Sequence, residues 1–378
     1  MIYLDNAATT RPCPEAAEAV RRAMTETWGN PSAGHAPGRE ARAALDRARE
    51  QVLRALGPGG EAGTLVFTSG GTEADNLALK GAARKQRHRG KHIISSRAEH
   101  EAVLNSLGDL KARGWEVTLL EPDASGRVSP EAVGEALRPD TVLVSLMLVN
   151  NETGGRTDIP AIAALLRESG SQALLHTDAV QAFLKFPWSP KALGADMISL
   201  SAHKICGPKG AGALWLRPGL SLPPLLHGGG QEGGLRSGTE PMPAILGFGA
   251  AAEAVSAHRD PEARYAALRE ILYRELPGAV FLGEPAACAP HICGLAFPGA
   301  RAEVLQNWLD SRGICVSRGS ACARGRRSHV LEAMALPPAV IDGALRVSFG
   351  PETTAEETAE FCALLREGVR RFFPKASI

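Results

Sequence analysis

The chain is predicted to be an α/β protein built on a mainly parallel sheet, and three observations carry that prediction. Strand-like apolar runs alternate with helical patterns from about Gly63 to Arg217. Glycine and proline are spread through many short turns rather than gathered into a linker. The run at 141–149 is apolar almost throughout, as a strand covered on both faces is.

Seven strands are expected, at 65–68, 92–95, 116–120, 141–149, 173–175, 196–200 and 213–216. Helices are expected from about Glu73, from about Glu99, and over 159–168. A further helical pattern spans 244–276 and breaks near Pro261, where the backbone loses a donor. The chain then changes character. Short strands near Val280 and at 294–297, a helix over 302–311, an alternating strand over 344–350 and a last helix over 355–372 read as a smaller α+β unit. The expected division is a large α/β domain over 15–255 and a small α+β domain formed by 1–14 with 256–378.

Bulk properties exclude several function classes. With 378 residues, 44% of them hydrophobic, the chain can bury a sizeable core, and a formal net charge of +1 offers no general attraction to nucleic acid or anionic membrane. No apolar run approaches the ~18 residues of a membrane span. The opening Met1-Ile-Tyr-Leu-Asp5 lacks the basic and apolar regions of a signal peptide, so a cytoplasmic location is expected. The seven cysteines, at 13, 206, 288, 293, 315, 322 and 362, are odd in number and contain no C-x-x-C. Neither a disulfide framework nor a common zinc site is indicated, and no metal is expected.

The chemistry-bearing residues cluster where strands end. His176-Thr-Asp178-Ala-Val-Gln181 and Ser199-Leu-Ser-Ala-His-Lys204 each follow an apolar run, so an acid, an amide and an amine are delivered to one rim of one sheet. An aldehyde cofactor with a basic ring nitrogen suits that pair. Pyridoxal phosphate is such a group, with Lys204 as its imine partner and Asp178 at the ring nitrogen. A buried ion pair between Asp178 and Lys204 would leave the same residues.

Thr68-Ser-Gly-Gly-Thr-Glu-Ala-Asp-Asn76 is a glycine-rich turn between strand and helix, whose free N–H groups and positive dipole end make a phosphate cup. In it Thr72 offers an N–H and a hydroxyl, while Asp75 is read as an ordinary favourable charge in the first turn. His100 opens a helix at the same topological level and is either a cap or a ring that lines the rim. Leu148-Val-Asn-Asn-Glu-Thr-Gly154 ends the most apolar strand in polar groups that need partners. Cys322 lies in a small polar loop, Arg318-Gly-Ser-Ala-Cys-Ala-Arg-Gly-Arg-Arg327, whose arginines would favour a thiolate or form a solvated face. Arg346, inside an alternating strand, pairs with a protein acid or awaits a substrate carboxylate. The long glycine-rich segment from His227 to Thr239 reads as functional or interfacial.

Taken in order, these residues resemble the cysteine desulfurases of the NifS/IscS type, within the class V aminotransferases of PLP fold type I. The resemblance runs nearly end to end. It is carried by Tyr3-Leu-Asp-Asn-Ala-Ala-Thr-Thr10, Gly29-Asn-Pro-Ser32, Thr68 to Asn76, Glu99-His100, Val149-Asn-Asn-Glu152, Asp178 to Gln181 and Ser201 to Lys204, and then by Arg236-Ser-Gly-Thr239, Gly319-Ser-Ala-Cys322 and Arg346.

The resemblance implies that Lys204 is the imine-forming catalytic lysine, that Asp178 holds the ring nitrogen, that Gln181 meets the ring hydroxyl and that His100 stacks on the ring. It implies a phosphate site of Gly71, Thr72, Ser201 and His203, completed by Thr239 from the neighbouring subunit of a homodimer. Asn151 would touch the cofactor and, with Arg346, hold the substrate carboxylate. Cys322 would take sulfur from L-cysteine as a persulfide, releasing alanine and passing the sulfur to an acceptor protein of iron–sulfur cluster assembly or tRNA thiolation. Two alternatives stay open at this level: a selenocysteine lyase or other class V enzyme, and a catalytically silent scaffold for sulfur-transfer partners.

Overall fold

The protein is described from a computed structural model, which describes residues 1–257, 260–318 and 327–376. A short strand, β1 (Ile2–Tyr3), is followed by helices α1 (Pro14–Thr25) and α2 (Ala36–Ala55). Strands and helices then alternate: β2 (Thr64–Thr68), α3 (Gly71–Gln86), β3 (His92–Ser96), α4 (Glu101–Ala112), β4 (Glu116–Leu120), α5 (Pro130–Ala136), β5 (Thr141–Ser145), α6 (Ile159–Glu168), β6 (Leu174–Asp178), α7 (Pro190–Leu193), β7 (Met197–Ser201) and β8 (Gly212–Leu216). Beyond them come α8 (Met242–Ser256), α9 (Pro261–Glu275), β9 (Val280–Leu282), β10 (Ile292–Ala296), α10 (Ala302–Asp310), β11 (Ile314–Cys315), α11 (His329–Ala333), α12 (Pro338–Asp342), β12 (Ala344–Ser348) and α13 (Ala355–Phe372).

The seven expected strands form one sheet in the order β2-β8-β7-β6-β5-β3-β4. The pairs from β7 through β4 are parallel, whereas β8 runs antiparallel to both of its neighbours. Strand residues alternate between two apolar layers. Leu65, Phe67, Ile94, Val144, Leu175, Ile198 and Trp215 pack on one face with α2, α6 and α8. Val66, Ile93, Leu143, Leu174, Met197 and Leu214 pack on the other with α3 and α4. Both faces are thus covered, which is why the strands read as continuous apolar runs.

A second core gathers Ile2 and Leu4 with residues of α9, β10, α10, β12 and α13. Its three-stranded sheet has the order β12-β10-β9, and α13 begins on a capping box between Thr354 and Glu357. The proposed division into 15–255 and 1–14 with 256–378 is supported by these separate cores. Ala7, Ala289 and Ile292 pack with the larger one and bind the two together.

One expectation needs correction. Strand β5 ends at Ser145 rather than at 149. The chain beyond it still bonds to β6, through Leu146 N–H to the His176 carbonyl (3.1 Å) and Leu148 N–H to the Asp178 carbonyl (2.9 Å), but leaves β3. The break expected near Pro261 in the pattern at 244–276 is present, because Pro261 opens α9 and the Asp260 side chain caps it by accepting from Ala263 N–H (3.0 Å). Helices α1 and α2 were not foreseen. The buried side of α2 is Ala41, Ala44, Leu45, Ala48 and Val52, a regular apolar stripe on an otherwise charged helix that its spacing could have revealed.

Phe248 of α8 is fully buried, edge-on to Phe67 (6.3 Å between ring centres) and to Phe183 (6.5 Å). Phe248→Ala is therefore expected to destabilise the fold by about 3–5 kcal/mol. Denaturant unfolding checks this, and a loss below about 1 kcal/mol would show that these rings do not lock α8 to the sheet.

Candidate active site

The carboxyl ends of β2, β3, β5, β6 and β7 open on one cavity of about 250 Å³. Ten of the expected residues line it: Gly71, Thr72, His100, Asn151, Asp178, Gln181, Ser201, His203, Lys204 and Arg346. A crevice beyond the carboxyl ends of parallel strands is where α/β sheets place ligands. Thr239 is exposed and does not border the cavity of its own chain. Cys322 lies outside the described residues, as do Arg324 and Arg326.

Strand pairing sets the acid and the amine. Asp178 is the last residue of β6 and sits opposite Ser199 of β7. After Ser201 the chain makes a single 3₁₀ turn over Ala202–Lys204, which carries the lysine back over the strand ends. The Asp178 Oδ1 accepts from Val180 N–H (2.8 Å). Burial pushes the Asp178 carboxyl above the usual range, while that N–H and the nearby His100 and Lys204 pull it down.

Lys204 Nζ donates to the carbonyls of Ala7 and Ala8, the latter at 2.8 Å. Burial first, and the Arg346 charge second, lower its pKa to about 7. A neutral amine is thus accessible near neutral pH, which both imine formation and proton transfer require.

Gln181 Nε2 donates to the Ala7 carbonyl (3.0 Å). His100 caps α4, its Nδ1 accepting from Ala102 N–H (3.1 Å), and burial lowers its pKa. Both readings of His100 therefore hold, since one ring nitrogen caps the helix while the ring lines the cavity. His203 Nδ1 lies 3.2 Å from Thr9 Oγ1, and burial brings its pKa to about 4, so the ring is neutral.

Arg346 has the protein acid that one of its two readings calls for. Its guanidinium pairs with Asp5 (2.8 Å) and donates to the Asn151 carbonyl (2.8 Å), yet its Nε has no partner among the described residues. Ser201 Oγ and Asn151 Oδ1 are likewise buried without a partner among them. Unpaired polar atoms converging on a cavity are explained by a polar guest. At Gly71 an added Cβ would stand 2.9 Å from Val180 Cγ2, so the turn before α3 packs close against the loop after β6. The orphaned hydroxyl, the open first turn of α3 and the facing acid and amine fit pyridoxal phosphate.

Asp75 corrects the sequence reading. It lies beyond the first turn of α3, is 1% exposed and borders the cavity. Its spacing to Ala78, Leu79 and Ala82 puts it on the apolar side of α3, a periodicity that could have flagged it. Asp5 and the carbonyls of Ala7 and Ala8 were also missed as partners of Arg346 and Lys204, because nothing local in sequence marks them. Around Cys322, two of the four arginines are engaged by carboxylates: Arg318 with Glu303 (3.5 Å) and Arg327 with Asp342 (2.7 Å). Their charges are less available to a thiolate than the sequence alone implies. The glycine-rich segment is tied down, by Glu232 to Arg49 (2.7 Å) and by Arg236 to Glu73 (2.9 Å).

Comparison with known proteins places this geometry. The chain is 40% identical over 376 residues to "Cysteine desulfurase IscS" of Methanosarcina thermophila, covering 98% of this chain and 92% of the relative. It is 43% identical over 367 residues to "Cysteine desulfurase" of Cereibacter sphaeroides, covering 94% and 92%. Among solved structures it superposes on a "NIFS-LIKE PROTEIN" with a TM-score of 0.91 at 34% identity, covering 98% of this chain and all of the other. It also superposes on "SspA in complex with cysteine" with a TM-score of 0.82 at 35% identity, covering 94% and 100%. Residues 2–361 match the profile of the class-V aminotransferases, and the chain belongs to that family.

Proposed function

We propose that the protein is a pyridoxal-phosphate-dependent cysteine desulfurase. The observation that carries this reading is the convergence of Lys204, Asp178 and Arg346 on one cavity, in a chain similar over nearly its whole length to cysteine desulfurases. Asp178 would hold the ring nitrogen and Gln181 the ring hydroxyl, with His100 on the ring face. The phosphate would rest on Gly71, Thr72, Ser201 and His203. When bound, pyridoxal phosphate supplies an electron sink for charge developing at the substrate α-carbon.

The protein's own residues do the rest. Arg346 and Asn151 bind the substrate carboxylate and orient the α-carbon toward Lys204. Lys204, neutral above about pH 7, takes the α-proton and returns a proton to the product. The Cys322 thiolate attacks the substrate sulfur. A sulfur–sulfur bond forms, the carbon–sulfur bond breaks, and the carbon regains a proton to give alanine. The persulfide then passes to an acceptor protein of iron–sulfur cluster assembly or tRNA thiolation.

The working unit is read as a homodimer in which the partner subunit's Thr239 completes the phosphate site. Exposed Met24, Trp28 and Leu226 support an apolar contact of this kind. A cytoplasmic location is supported by the six described cysteines, all free. No helix among the described residues is long and apolar enough to cross a membrane.

Incubation with L-cysteine followed by mass spectrometry is expected to find one added sulfur on Cys322, and Cys322→Ala is expected to stop production of sulfide and alanine. Unchanged production by that variant would overturn the reading. Lys204→Ala should lose the visible absorption of the bound cofactor and about 10²–10⁴-fold in turnover; a retained band would assign the imine to another amine. In cofactor-free protein, labelling of Lys204 by an amine-reactive probe should rise with pH through a midpoint of about 7. The lowered pKa leaves the reactive neutral form dominant above that value, and a midpoint near that of a free lysine would show that burial does not tune the group.

A further inference from the structure

His329 has no role in the scheme above and does not line the cavity, yet it is bonded to the chain beside a residue that does. Its Nε2 lies 2.9 Å from the carbonyl oxygen of Glu99, the residue before His100. A carbonyl only accepts, so the ring donates from Nε2. Glu99 is 1% exposed, and its carbonyl meets no other hydrogen-bond donor among the described residues. Without His329 that oxygen would be a buried acceptor with no partner, which is costly.

The groups on either side of this carbonyl are fixed by other bonds. His100 Nδ1 accepts from Ala102 N–H (3.1 Å), which anchors the ring to α4. Asn150 Nδ2 donates to the Ala98 carbonyl (3.0 Å), and the Glu99 side chain accepts from Met147 N–H (2.8 Å). What these bonds leave free is the plane of the peptide between Glu99 and His100. His329 fixes that plane.

The donor comes from the smaller unit. His329 opens α11, whose N-cap Ser328 donates its hydroxyl to Glu152 Oε2 (2.5 Å) and accepts from Leu331 N–H (3.2 Å). Val330, Leu331 and Met334 then pack with Ala98 in one apolar cluster. Two consecutive residues of the smaller unit thus reach the two segments of the larger one that carry His100 and Asn151.

We propose that His329 is a positioning residue for His100: by donating from Nε2 to the Glu99 carbonyl, it fixes the peptide that carries His100 and with it the tilt of the ring that lines the cavity. This rests on the function proposed above, in which the His100 ring lies on the face of the cofactor ring. The smaller unit thereby sets the geometry of a group that belongs to the larger one.

Two variants separate the donor from the bulk. His329→Gln keeps an N–H at the end of a side chain of similar reach, whereas His329→Leu fills the space and removes the donor. In the holoenzyme, the visible circular dichroism of the bound cofactor is expected to match the parent protein in His329→Gln and to weaken in His329→Leu. With L-cysteine, His329→Leu is expected to lose roughly 10–100-fold in kcat with KM little changed, because a misplaced ring slows the chemical step rather than binding. That loss should vanish in the His100→Ala background, where nothing remains to be positioned. Parent-like dichroism and kcat in His329→Leu would overturn the proposal. So would equal losses in both variants, or a loss that persists in full beside His100→Ala. If His329→Leu does not fold, nitrogen-15 NMR of the histidine-labelled parent holoenzyme decides: a proton on His329 Nε2 is expected, and a bare Nε2 with a protonated Nδ1 overturns the proposal. Dichroism and NMR are read without turnover, so a protein that binds the cofactor but releases no sulfur from cysteine would refute the desulfurase reading and leave this one standing.

Discussion

The parallel pairing of β6 with β7 is the constraint on which the site depends. It sets Asp178 opposite Ser199, and the turn after Ser201 then returns Lys204 over the same strand ends. A slip of one residue would turn one strand's side chains to the opposite face and separate the acid from the amine. The register is held from the far side as well, because β8 pairs with β7 from Met197 to Ser201 and with β2 from Thr64 to Thr68. Gly212 at the start of β8 runs so close to Gly70 that an added Cβ would lie 2.5 Å from that residue's carbonyl carbon. This close approach brings the turn before α3, with its open N–H groups, to the same rim.

The N-terminal segment joins the two cores at the cavity. Asp5 pairs with Arg346 of β12, while the carbonyls of Ala7 and Ala8 hold Lys204, and that of Ala7 also holds Gln181. Ala7 N–H donates to Ser348 Oγ (2.8 Å), and Gly350 leaves room for Asn6, whose Oδ1 would stand 2.3 Å from an added Cβ. The smaller unit thus contributes Arg346 to a cavity whose amine and acid come from the larger one. Burial beside that arginine is also what lowers the lysine's pKa.

Polar groups are built into the sheet beneath the cavity at some cost to stability. Ser95, Ser145, His176 and Ser199 lie fully buried on neighbouring strands, joined by hydrogen bonds of 2.7 to 3.0 Å. An apolar row would pack there without needing partners. The polar row instead ties β3, β5, β6 and β7 together by side-chain hydrogen bonds beneath the cavity.

Much of this was legible in the chain itself. Uninterrupted apolar runs announced a sheet covered on both sides, and the motifs that end them, together with the resemblance to the desulfurases, named ten of the residues that line the cavity. Two of the hidden parts, α2 and the inward face of Asp75, carried a helical spacing that periodicity detects. The pairing of Asp5 with Arg346 joins residues 341 positions apart in sequence. Sequence by itself determined which chemical groups are present and which end of the sheet they reach. Only the tertiary structure decided their charge states and partners, because burial, and the distance to groups brought near by folding, set the free energy of every proton in the cavity.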